Sequence, residues 1–144
     1  MFVLTEPELH EALTLPSTLS TVETVETKAM EYAQKAGFDE DTASQISMVS
    51  REAAVNAVLH GNKKDPNKHV RASFNLTPDT LSIQVADEGT GFDPTAVPDP
   101  LSPEGLLKPS GRGIFLMRAI MDEVNFRQLS PGAEITLVKH RNRD

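Results

Sequence analysis

The sequence predicts an α+β fold, a two-layer α/β sandwich with helices packed on one face of a mostly antiparallel mixed sheet. Two patterns support this expectation. Apolar residues recur at helical spacing early in the chain, and later segments alternate apolar and polar residues. Helices thus precede most strands, with one helix among them, as in α+β rather than alternating β-α folds. The length of 144 residues fits one domain, 1–144.

The first third of the chain predicts an edge strand and two helices. Residues 10–15 are compatible with the strand, and a helix follows that ends at Gly37, because glycine is a common helix stop. The second helix begins with Asp39 or Asp41 as its cap and continues to about Gly61. Its apolar residues lie on more than one side, which indicates a well buried helix.

The strands come later and form two predicted hairpins. Segments 70–76 and 81–85 alternate apolar and polar residues, and the turn between them contains proline and aspartate. Segments 124–129 and 134–140 are joined by Ser130-Pro131-Gly132 in the same way. Antiparallel pairing is therefore expected to dominate the sheet.

One long segment fits no regular element. Residues 93–110 contain five prolines and Gly105, and a loop of this length in a small domain is usually functional or disordered. A helix from Ile114 to about Glu123 is predicted directly after it.

Composition excludes several functional classes. The net charge of −7 argues against a nucleic-acid partner, which would favour a basic face. The absence of cysteine excludes disulfides and thiolate zinc sites. The N-terminus lacks the basic start and apolar run of a signal peptide, and no stretch approaches the roughly 20 apolar residues of a membrane span. We therefore expect a cytoplasmic protein without membrane contact.

Three polar residues mark the second helix. At about 100° per residue, Glu52, Asn56 and His60 share one face of an otherwise apolar helix. Burying such groups without partners is costly. The amide oxygen of Asn56 suits Mg²⁺, and Glu52 could accept a proton from a nucleophile. Alternatively, the three residues cap loops or bond to neighbouring backbone.

A second polar segment follows a predicted strand. Asp87 is followed by Gly89 and Gly91, and glycines at a strand end let a ligand approach the backbone. A carboxylate there could accept a hydrogen bond from the exocyclic amine of adenine. The segment does not match a calcium loop, since Phe92 and Pro98 stand where glycine and glutamate are required, nor does it match a Walker phosphate loop. A simple tight turn is the alternative.

The third segment precedes the last predicted helix. Gly111 and Gly113 would present backbone N–H groups at a helix start, where phosphate binds readily. Taken alone, a Gly-x-Gly of this kind is most often only a turn.

The order of these segments is more specific than any one of them. It resembles the Bergerat ATP-binding fold shared by DNA gyrase, the heat-shock-90 chaperones, histidine kinases and the MutL mismatch-repair proteins. Within that superfamily the stretch from Glu52 to Gly61 and the tail 91–94 are similar to the bacterial anti-sigma-factor serine/threonine kinases. The resemblance covers about residues 10–140.

The resemblance implies a role for each matching residue. It implies Glu52 as general base, Asn56 as Mg²⁺ ligand and residues 93–110 as a mobile ATP lid. It also implies further nucleotide-binding residues: Asp87 on the adenine amino group, Gly89 and Gly91 beside the base, Gly111 and Gly113 as a second glycine box, and Thr136 near adenine. Arg112 could touch phosphate, solvent or a partner, and His60 could pack, contact the lid or take part in catalysis.

The resemblance also narrows the function. Glutamate at position 52 fits a kinase that deprotonates a hydroxyl, whereas histidine kinases usually carry asparagine there. The implied activity is transfer of the ATP γ-phosphate to a serine or threonine of a STAS-type anti-anti-sigma protein, and the second implied partner is a sigma factor. A homodimer is a further expectation, because relatives often dimerise. The alternatives are a nucleotide-dependent sequestering module with little kinase activity and a regulatory subunit that activates another enzyme.

Overall fold

The computed structural model describes residues 9–89 and 109–141, with side chains in the second range described from residue 113 onward. Its elements in chain order are β1 (Leu9–Pro16), α1 (Leu19–Lys35), α2 (Glu40–Val55), a π-helical segment (Asn56–Gly61), β2 (His69–Leu76), β3 (Thr80–Ala86), α3 (Pro109–Ile120), β4 (Glu123–Gln128) and β5 (Ala133–His140). Every predicted strand and helix is therefore present.

The strands form one sheet in the order β1-β2-β3-β5-β4. All pairings among the described strands are antiparallel, and β1 is an edge strand as the sequence predicted. Phe74 of β2 lies opposite Ile83 of β3, and Val85 of β3 lies opposite Ile135 of β5. Because side chains alternate between faces, these four residues share one face of the sheet.

That face carries the core, against which the helices pack. Tyr32 of α1 stacks on Phe74, with ring centroids 5.3 Å apart. Ile46 and Val49 of α2 are fully buried in the same cluster. The predicted two-layer α+β sandwich is confirmed.

Two helix boundaries follow from local chemistry. Asp39 caps α2, because its carboxylate accepts a hydrogen bond from the Thr42 N–H at 2.7 Å. Gly37 ends α1 with a φ of +88°, a conformation that favours glycine.

The later part of the chain differs from expectation at one boundary. Helix α3 begins at Pro109 and not at Ile114, so Gly111 and Gly113 lie within its first turns. Most of the expected lid, 93–110, lies outside the described residues, and its last two positions belong to α3. No helix in the described ranges is long and apolar enough to cross a membrane.

Candidate functional site

Glu52, Asn56 and Gly113 come together where α3 packs against α2. A Cβ atom added at Gly113 would lie 3.2 Å from Glu52 Oε2 and 3.7 Å from Asn56 Nδ2. Only a residue without a side chain leaves this space open. Two of the three segments identified in the sequence, separated by more than fifty residues, thus meet in one place.

The side chain of Asn56 is buried but has no partner within the described chain. The residue is only 8% exposed, and none of the described residues forms a hydrogen bond with its amide. A buried amide without a partner among the described residues is a candidate for binding an external ligand.

His60 lies in a segment where the hydrogen-bond pattern of the helix changes. The helix changes to π-helical pairing from Asn56 to Gly61, and the Asn62 N–H bonds to the Ala57 carbonyl at 2.8 Å. Within this segment His60 is exposed, whereas Gly61 lies against the carboxylate of Asp87. The role of His60 stays a prediction.

Asp87 follows β3 and is buried, with 6% of its surface exposed. Its Oδ1 accepts the Gly89 N–H at 2.9 Å and the Ala133 N–H at 3.2 Å. Within the described ranges no donor reaches Oδ2. The carboxylate is thus held by two backbone donors through one oxygen.

Burial raises the pKa of Asp87 above its ordinary value. The N–H groups of Gly89 and Ala133 oppose that shift, and so does the positive charge of Lys68. An ionised carboxylate in this place therefore costs free energy of folding, and a strong hydrogen-bond donor from a ligand would offset that cost.

Three glycines allow the chain to surround Asp87 closely. A Cβ at Gly61 would overlap the Asp87 carboxylate, and one at Gly89 would overlap the Gly61 carbonyl oxygen. A Cβ at Gly132 would overlap the Asp87 carbonyl oxygen, and Gly132 has a φ of +111°. Gly61 and Gly132 were expected only as turn or helix-stop residues, so their role at the site comes from the tertiary structure.

Thr136 is not part of this arrangement. It pairs with Gln84, one residue from the Val85–Ile135 pair that faces the helices, so its side chain lies on the opposite face of the sheet. The β5 residue next to Asp87 is Ala133, which contributes its backbone N–H. The structure therefore does not support placing Thr136 near the base.

The remaining predicted positions are only partly covered. Gly91 lies outside the described residues. Gly111 and Arg112 lie in the first turn of α3, where backbone N–H groups have no partner within the helix. Gly113 is deeper in the helix, so its contribution is the space beside Glu52 and not a free N–H group.

The buried residue Asn62 carries no recognisable signal in the sequence. Asn62 is 1% exposed and bonds to Ser17, His69 and Glu88. Its position in a polar turn after Gly61 gave no signal beyond a helix stop.

The surroundings of Asn56 fit a magnesium ion held by few protein ligands better than a metal ion enclosed by many protein ligands. Across residues 9–89 and 109–141, no three His, Asp or Glu side chains cluster as they would around a metal ion. Mg²⁺ is usually held by one or two protein oxygens together with waters and substrate phosphates. The Asn56 amide, which has no partner among the described residues, fits that pattern, with Glu52 one turn away.

Comparison with known proteins identifies relatives over most of the chain. The histidine kinase-like ATPase domain family matches residues 15–139. A serine-protein kinase RsbW of Bacillus licheniformis is 35% identical over 121 residues, which are 78% of this chain and 73% of the relative. The serine-protein kinase RsbW of Halalkalibacterium halodurans is 31% identical over 96% of this chain and 87% of its own.

Two further similarities extend this result. An anti-sigma F factor of Anoxybacillus flavithermus is 32% identical over 69% of this chain and 70% of its own. A crystal structure of RsbU and RsbW domains from a Mycobacterium tuberculosis protein aligns with a TM-score of 0.63 at 22% identity. It covers 96% of this chain and 34% of that chain, and it supports the fold.

Proposed function

Because the chain belongs to the histidine kinase-like ATPase domain family, we propose that it is an ATP- and Mg²⁺-dependent protein serine/threonine kinase that acts as an anti-sigma factor. The observation that carries the proposal is the juxtaposition of two groups of residues at one end of α2. Glu52 and Asn56 meet Gly113, and one turn further along, Gly61 meets the half-satisfied carboxylate of Asp87.

The Asp87 group is the adenine end of the proposed site. Oδ2 of Asp87 accepts a hydrogen bond from the exocyclic amino group of adenine, while the N–H groups of Gly89 and Ala133 hold Oδ1 in place. Gly61 and Gly89 have no side chains beside the carboxylate, which leaves room for a flat base. A guanine base would present a carbonyl oxygen to Oδ2 and would be disfavoured.

The Asn56 group is the phosphate end. Asn56 would hold Mg²⁺ through its amide oxygen, and Mg²⁺ bound there would neutralise charge at the phosphates. The free N–H groups of the first turn of α3, at Gly111 and Arg112, bind phosphate oxygens. The lid expected at 93–110 and the base-side glycine Gly91 belong to the same proposal.

Glu52 is the general base. Its carboxylate is partly buried, lies one turn from Asn56 and has no hydrogen-bond partner within the described residues. In this proposal it takes the proton from a serine or threonine hydroxyl that attacks the γ-phosphate. The remaining groups align and neutralise the transferred phosphoryl group, which is most of what this chemistry requires.

The proposed protein substrate is a STAS-type anti-anti-sigma protein, and the second proposed partner is a sigma factor. The names of the relatives, serine-protein kinase RsbW and anti-sigma F factor, support both activities. Phosphorylation would weaken binding of the antagonist and leave this chain available to bind the sigma factor. A cytoplasmic location and a homodimer remain predictions.

A transfer assay tests the proposal. The purified chain is mixed with a candidate STAS protein and γ-labelled ATP, with Mg²⁺ or with a chelator. We expect Mg²⁺-dependent labelling that is lost in Asn56→Ala and kept in Asn125→Ala, which removes an exposed amide from β4. Saturable ATP binding without labelling of any STAS partner would instead support the alternative, a nucleotide-dependent sequestering module.

A further inference from the structure

Asn62 lies at a junction of four parts of the chain. Its Nδ2 donates to Ser17 Oγ at 2.7 Å and to the His69 carbonyl at 2.9 Å. Its Oδ1 accepts the Glu88 N–H at 2.8 Å. One side chain thus joins the end of the π-helical segment to the start of α1, the start of β2 and the segment after β3.

The backbone around Asn62 is shaped to turn this side chain inward. The two residues that follow, Lys63 and Lys64, have φ values of 52° and 58°, in the left-handed region that non-glycine residues rarely adopt. The Lys64 N–H bonds back to the Val58 carbonyl at 2.8 Å, which holds the turn. Such conformations persist only where surrounding contacts fix them, and they cluster at functional sites.

We propose that Asn62 is a positioning residue for the Asp87 carboxylate and thereby sets the preference for adenine; this inference rests on the function proposed above. The peptide N–H that Asn62 accepts belongs to Glu88, the residue directly after Asp87. Gly61, directly before Asn62, contacts the Asp87 carboxylate itself. Asp87 is therefore held from both sides by the same short turn.

Ser17 offers a matched control within the same network. Its hydroxyl accepts from Asn62 and donates to the Lys68 carbonyl at 2.8 Å, but it does not contact the segment after β3. Ser17→Ala should therefore lower the melting temperature and leave the bond between Asn62 and Glu88 in place. Loss of general stability and loss of positioning can then be measured separately.

The test compares ATP with inosine triphosphate, which lacks the exocyclic amino group. Dissociation constants are measured by calorimetry on the full chain, well below the melting temperature of each variant. Asn62→Ala should weaken ATP binding about tenfold or more, the scale of a hydrogen bond to a charged group, and should leave inosine triphosphate nearly unchanged. Asn62→Asp keeps an acceptor for the Glu88 N–H, so its ATP preference should survive even though its melting temperature falls.

A double mutant adds a measurement that a purely structural role would not affect. If Asn62 acts through Asp87, then Asn62→Ala should cause no further loss of ATP affinity in the Asp87→Asn background. Additive losses, or an unchanged ATP preference in Asn62→Ala, would overturn the inference. Asn62→Ser carries the same prediction should the alanine variant fail to fold. Absence of ATP binding by the wild-type chain would overturn the proposed function as well, whereas ATP binding with an unaffected preference would overturn the positioning role alone.

Discussion

Replacing Asp87 by asparagine should separate nucleotide binding from stability, because the two respond in opposite directions. The asparagine amide oxygen can still accept the Gly89 and Ala133 N–H groups, so the local structure is kept. Its NH₂ group then replaces Oδ2 and faces the amino group of adenine, donor against donor. Loss of a hydrogen bond to a charged group costs about 1.5–3 kcal/mol, which corresponds to about 10- to 150-fold weaker ATP binding.

Without ligand, the Asp87→Asn variant should be as stable as the wild-type chain or more stable. Because burial raises the pKa of Asp87, the stability contributed by this group is fully present below its unfolded pKa and is lost as pH rises through its folded pKa. At neutral pH the wild-type chain therefore holds an unfavourable charge that asparagine removes. Melting temperatures at neutral and acidic pH measure this effect, with the gain expected only at the higher pH.

Calorimetric titration with ATP and Mg²⁺ measures the affinity. Asp79→Asn removes the same charge from an exposed turn and serves as the control. The reasoning is refuted if wild-type ATP binding is saturable and Asp87→Asn stays within about twofold of it, a difference well below one hydrogen bond.

Four further outcomes are expected. Glu52→Gln should keep ATP affinity and lower phosphoryl transfer by about 100-fold or more, the usual scale for a general base; an unchanged rate would remove Glu52 from that role. Gly113→Ala should raise the melting temperature, since alanine favours a helix by about 1 kcal/mol, yet slow transfer because its Cβ would lie 3.2 Å from Glu52 Oε2; transfer at the wild-type rate would show that Glu52 tolerates the shift. Gly61→Ala should lower the free energy of unfolding by about 1–3 kcal/mol through overlap with Asp87, and it should also impair ATP binding. The control Gly37→Ala is strained at a φ of +88° but lies in open space, so it should lower stability alone. Equal ATP affinities in the two variants would contradict this. Finally, ATP affinity should fall as pH drops through the raised pKa of Asp87. Asp87→Asn is the control, because the phosphates of ATP titrate in the same way with both proteins. Parallel pH profiles of ATP affinity in the two proteins would exclude Asp87 as the titrating group.

The general architecture could be predicted because local patterns report it directly. Alternating residues in β2 and β3 and the paired turns fixed antiparallel strands, and helical spacing fixed α1 and α2. The three polar segments were also visible, and two of them do meet in space. Polar residues among apolar neighbours can be recognised in the sequence alone, and their burial cost indicates a functional site.

The prediction for Thr136 shows how a resemblance can outweigh the local pattern. Ile135 and Leu137 flank it, and their alternation already placed the threonine on the polar face of β5. The contact with Asp87 is made instead by the backbone of Ala133, which carries no side-chain signal.

By itself, the sequence determined the fold class, the strand and helix order and the candidate roles of Glu52, Asn56 and Asp87, since these depend on residue type and on spacing within one element. Only the tertiary structure decided that Gly61 lies against the Asp87 carboxylate and that Asn62 joins distant segments. The position of Gly61 depends on packing of the π-helical segment against Asp87. The role of Asn62 depends on hydrogen bonds such as the one to Ser17, 45 residues away. Local spacing contains no information about such approaches, because they arise when the elements pack.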